Sequence, residues 1–78
     1  TINEIREIVQ DSMNSFGISD VVQDLRIVRN DKVESILFEI PVSTDFDNEE
    51  PLDNHVKNSL KAKYPEASIV VDFKKKFN

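Results

Sequence analysis

The sequence predicts a small α+β domain, a two-layer αββαβ sandwich in which two helices cover one face of a three-stranded mixed sheet. Three observations carry this. Two stretches repeat apolar residues at helical spacing, and three alternate them at strand spacing. A helix lies between the second and third strands, which makes those two parallel and leaves the first two as an antiparallel hairpin. Two amphipathic helices also need one apolar surface to cover, and a sheet with one greasy face supplies it.

The first helix is expected over residues 1–16. Ile2, Ile5, Val9, Met13 and Phe16 recur at steps of three and four, with Ile8 and Ser12 beside them. Thr1 followed by Glu4 forms a capping-box pattern. Gly17, the only glycine, stands where the helix must stop and where a positive φ is tolerated. The first strand is expected over residues 22–29, the turn at "RNDK" and the second strand over residues 33–42. In the second strand Ile36, Phe38, Ile40 and Val42 share one face, while Leu37, Glu39 and Pro41 share the other. Pro41 suits an edge or a strand exit. Pro51 opens the second helix, and Leu52, Val56, Leu60 and Tyr64 form its stripe. Lys61, Lys63 and Pro65 close it. The third strand, 67–77, turns Ile69, Val71 and Phe73 one way and Val70, Asp72 and Lys74 the other.

The 78 residues make one domain, 1–78, read as a fragment of a longer protein. There is no cysteine, which excludes disulfides, thiolate zinc sites and cysteine-ligated clusters. A net charge of −5 argues against nucleic acid as the main partner. No apolar run reaches the ~20 residues that span a bilayer. Catalysis finds no nucleophile–base–orienter arrangement and no glycine-rich phosphate cradle, so no enzyme is expected and no catalytic residue is assigned.

Chemistry concentrates in two places. "TDFDNEEPLDNH", residues 44–55, gathers Asp45, Asp47, Glu49, Glu50 and Asp53 and ends in the only histidine, His55. Its start looks like a calcium loop, but the sixth position is Glu50 rather than glycine and the twelfth is Val56 rather than glutamate. Acidic residues at a helix mouth are explained by the helix dipole alone. The second place is the sheet. If Phe38 and Phe73 face the helices, Glu39 and Asp72 emerge together on the bare face, where two carboxylates repel unless something positive lies between them. His55, on the flank of the second helix's stripe, is placed near the sheet rim. Glu39, His55 and Asp72 are therefore expected within reach of one ion, in one protomer or across a dimer interface. The alternative is an ordinary half-exposed histidine and ordinary solvated carboxylates. The lysine run 74–76 reads as a solvated strand end, or as a contact with anionic headgroups if the parent is a membrane protein.

"QDLRIVRN", "LFEIPV", "LDNHVKNSL" and "YPEASIVVDF" resemble, in order and spacing, the C-terminal cytoplasmic domain of the cation diffusion facilitator transporters. The resemblance spans essentially the whole chain. It implies a metallochaperone-like, ferredoxin-like fold and a homodimer on the cytoplasmic side of a membrane. The parent would carry a transmembrane domain and export zinc, iron or manganese in exchange for protons. Carried over by motif, the family's histidines fall on Gln23, Glu39, His55 and Asp72, and a metal-bridging aspartate falls on Lys74. The oxygen-rich remainder, Glu39, His55 and Asp72 with Asp24, would suit Mn²⁺ or Fe²⁺ and could still take Zn²⁺. Two functions are expected from this: a regulatory dimerisation domain that senses metal at or near the interface, or a metal-independent dimerisation module of the same fold.

Overall fold

The computed structural model describes residues 2–31 and 33–76. The capping box at Thr1 and the last residue of the expected third strand, Phe77, lie outside the described residues. The elements run α1 (Ile2–Ser15), β1 (Gln23–Asn30), β2 (Val33–Ser43), α2 (Glu49–Lys63) and β3 (Ser68–Lys76), the expected αββαβ order. The sheet order is β1-β2-β3, with β1 antiparallel and β3 parallel to the central β2.

Helix α1 stops because Gly17 takes φ +81°. The Ile18 amide donates to the Met13 carbonyl and the Gly17 amide to the Asn14 carbonyl, both at 3.0 Å. This pair of bonds is a Schellman cap, and buried Ile18 and Met13 supply the apolar contact that accompanies it. The Gln10 side chain then holds the α1–β1 loop: its amide nitrogen donates to the Asp20 carbonyl at 2.8 Å, and its oxygen accepts from the Val22 amide at 3.1 Å.

The core is the meeting of three stripes. Ile5, Val9 and Met13 come from α1, Leu52, Val56 and Leu60 from α2, and Ile36, Phe38, Ile40 and Val42 from β2. Leu25 and Ile27 of β1 and Ile69, Val71 and Phe73 of β3 pack against it from the flanks. Both helices therefore lie on one face of the sheet, and the alternate residues of every strand point away. Pro41 fits its strand for a local reason. Pairing with β1 ends at Gln23–Glu39, so at Pro41 only the β3 side is bonded, opposite Lys74.

Strand β1 carries an irregularity that the sequence does not announce. Between the pairs Gln23–Glu39 and Arg26–Leu37, two residues, Asp24 and Leu25, stand against one, Phe38. This is a β-bulge, and Asp24 takes φ +53° to make it. The extra residue shifts the alternation, so that Val22 turns into the core and Gln23 stands in register with Glu39.

Candidate functional site: the open face of the sheet

Strand pairing arranges the uncovered face in rows. One row is Gln23, Glu39 and Asp72. Below it lies Arg26, Leu37 and Val70, and then Val28, Ser35 and Ser68. Above it lies Pro41 beside Lys74. One end of the face is thus charged and the other largely apolar, with Val28, Val33 and Val70 about half exposed. Arg26, Leu37, Glu39, Val70 and Asp72 line a shallow depression of about 230 Å³.

The pairing of Glu39 with Asp72 is the expected one. Neighbouring strands in register set their Cα atoms about 5 Å apart, so the carboxylates are near neighbours on one face. Lys74, two residues beyond Asp72 on the same strand and face, places an ammonium on the adjacent row. Asp24 is exposed and occupies the bulge rather than a regular strand position.

His55 is not brought to these acids. Its Nδ1 lies 2.9 Å from the Ser12 hydroxyl, and its ring meets Phe16 edge-on with centroids 5.8 Å apart. Together with Ile8, Asp11, Ser15 and Lys63 it lines a groove between α1 and α2, in the helix layer. Glu39 and Asp72 lie across the sheet from it. Among the described residues, no three His, Asp or Glu side chains gather into a group that could hold a metal ion. Among the described residues, one chain therefore offers two adjacent carboxylates and no third acidic or histidine ligand beside them, which does not fit a closed metal site.

The acidic loop resolves as a helix mouth. Glu49 and Glu50 sit in the first turn of α2, where the helix dipole favours them. Glu49 accepts an ion pair from Lys75 at 2.9 Å, and Asp53 one from Lys57 at 3.1 Å. Two of the three lysines at 74–76 are likewise engaged within the chain. Lys75 reaches Glu49 and the Phe46 carbonyl, and Lys76 reaches Asp20 at 2.6 Å. Sequence reasoning missed the roles of Ser12, Gln10 and Arg26. Ser12 had a readable signal, since a serine beside the apolar stripe of a helix needs a polar partner.

With this geometry in place, the chain can be set beside known proteins. Its structure superposes on a solved chain of the zinc transporter CzrB with a TM-score of 0.78 at 20% identity, covering 97% of this chain and 93% of that one. The zinc form of CzrB matches with a TM-score of 0.78 at 21% identity, covering 96% of this chain and 84% of that one. The fold is that of the CzrB chain. At this level of identity the likeness establishes architecture and not chemistry. No protein-family model matches the sequence, and no curated protein gives a significant match. No helix among the described residues is long and apolar enough to cross a membrane.

Proposed function

We propose that the chain is a cytoplasmic dimerisation domain of a divalent-cation efflux transporter, where it regulates the separation of the two subunits. The observation that carries this reading is the coverage of the structural match. The likeness to CzrB runs through 97% of this chain and 93% of the other, so the whole chain is accounted for as that one fold. The sequence motifs at 23–30, 37–42, 52–60 and 64–73 support the same family independently of the fold. The metal ion is the cargo of the transporter in this reading. The domain acts by favouring one spacing of the subunits, and its effect is limited to the difference in its contacts between the two states.

An enzymatic reading is disfavoured by burial. The Ser12–His55 distance is one at which a histidine could act as a base, but Ser12 is only 1% exposed and cannot meet a substrate. A second reading keeps a metal sensor: the Glu39–Asp72 pairs of two copies would together supply four carboxylates to one ion. Its support is the register of the two acids.

The functional reading is tested by removing residues 1–78 from the full-length transporter and measuring metal-driven flux in vesicles. Reduced flux with normal insertion is expected; unchanged flux would contradict a regulatory role. The metal-sensor reading is tested by calorimetric titration of the isolated domain with Zn²⁺ and Mn²⁺, comparing wild type with Asp72→Asn. Binding heat that disappears in the variant supports it, and negligible heat in both removes it.

A further inference from the structure

We infer that the free edge of β3 takes up an extended segment of another protein as a fourth strand, one that is apolar at alternate positions and carries a carboxylate beside Lys74. This contact is separate from the association of subunits and uses the side of the sheet rather than its open face.

The sheet has two edges, and they differ. β1 and β3 each pair on one side only, so each presents backbone N–H and C=O groups with no strand beside them. The β1 edge is broken. The bulge at Asp24 and Leu25 interrupts it, and regular pairing covers only Arg26 to Asn30. β3 pairs with β2 from Ser68 to Lys76 without a shift in register. It contains no proline and no residue of positive φ, so its outer side repeats the same spacing over nine residues. A typical strand has roughly five or six. At the start of β3 the Lys61 ammonium donates to the Ala67 carbonyl, and the free edge begins at Ser68.

Side chains select what can join. Ile69, Val71 and Phe73 face the helix layer but are only partly buried. α2 runs antiparallel above them. Its first turn meets the end of β3 through Glu49 and Lys75, 2.9 Å apart, and its last turn meets the start through Lys61 and Ala67. No strand lies beyond β3, so the uncovered part of these three side chains forms an apolar ledge beneath the outer flank of α2. A fourth strand would lie ~4.8 Å from β3 and set every second side chain on that ledge. Apolar side chains there gain by leaving water.

Charge sets the chemistry at the far end. β3 carries three lysines against one aspartate, in a chain of net −5. Lys75 and Lys76 hold Glu49 and Asp20, whereas Lys74 holds no carboxylate among the described residues. A carboxylate on the incoming strand beside Lys74 is attracted and a lysine there is repelled. The backbone supplies the hold, and the ledge and Lys74 supply the selection.

The test is heteronuclear NMR of this chain with a synthetic peptide that alternates valine and threonine. One glutamate is placed near either end, to allow both strand directions. One of the two peptides should shift the amides of β3 and slow exchange at alternate β3 amides, leaving those of β1 unchanged. A strand has two edges, so N-methylating one alternate set of its amides should abolish binding and methylating the other should spare it. Lys74→Glu, at an exposed position, should weaken binding about threefold or more at low salt, and a peptide with lysine in place of glutamate should recover the loss. No shift at millimolar peptide overturns the inference, as do shifts confined to β1 or equal binding of both methylated forms. Unchanged binding by Lys74→Glu overturns the assigned partner chemistry. Protection of β3 amides that rises with protein concentration in the absence of peptide overturns the inference as well, because the edge would then be taken by a second copy.

Discussion

Replacing His55 by alanine removes one end of a hydrogen bond whose other end is buried. Ser12 is 1% exposed, and its hydroxyl lies 2.9 Å from the imidazole Nδ1. Leaving such a hydroxyl without its partner costs about 1–3 kcal/mol. Residue 55 itself is exposed, so water can enter the vacated space, and the lower half of that range applies. Loss of the edge contact with Phe16, 5.8 Å between centroids, adds about 0.5 kcal/mol, the low end for an aromatic pair. The expected destabilisation is therefore ~1.5–2.5 kcal/mol, set against a total of about 4–12 kcal/mol for a domain of this size. The melting midpoint should fall by roughly 6–20 °C. Ser12→Ala should cost less, because the hydroxyl is removed together with its need for a partner. The double variant should then show a coupling of about 1 kcal/mol. Urea titrations in chelator measure all four corners of this cycle. A coupling indistinguishable from zero would refute the structural role assigned to His55. So would a destabilisation that appears only in the presence of Zn²⁺, because the imidazole would then be acting as a ligand.

Other substitutions probe the frame that presents the sheet face. Gly17→Ala should lose ~1–2 kcal/mol in thermal unfolding from the left-handed backbone alone, since an added Cβ meets nothing within 4 Å; Gly17→Asn should lose less. Ile40→Ala, at a position 0% exposed beneath both helices, should cost about 2–5 kcal/mol and leave a measurable unfolded fraction by circular dichroism at 37 °C. Lys75→Ala removes an ion pair whose side chains are 40% and 38% exposed. It should lower stability by less than ~1 kcal/mol, with the difference from wild type shrinking at high salt.

The two-layer architecture was legible because burial follows a simple period at the decisive places. Ile36, Phe38, Ile40 and Val42 alternate without interruption, and the covered face of β2 follows from them. Gly17 was equally readable, since a lone glycine after an apolar stripe has one common use. The pairing of Glu39 with Asp72 followed from the parallel connection once those faces were known. His55 was misplaced for a physical reason. It adjoins Val56 in a helix whose stripe is Leu52, Val56 and Leu60, so it lies on a flank of that stripe. A single helix does not reveal which flank meets the sheet rim and which meets the neighbouring helix. Here it meets α1, and Ser12 receives it. The bulge was hidden as well. Asp24 adopts a conformation more usual for glycine, and the resulting shift, which sets Gln23 beside Glu39, leaves no trace in composition.

The central claim is that the working surface of this domain is the uncovered sheet rather than the helix layer. The chain has no cysteine, so single spin labels can be placed at will. In the dimer that the proposed function requires, with the domains tethered through a shared membrane part, pulsed dipolar spectroscopy should compare Val28→Cys on the sheet with Asn58→Cys on α2. The account predicts the shorter inter-subunit distance for the label at 28, in chelator as well as in Zn²⁺. A shorter distance for the label at 58 would contradict it.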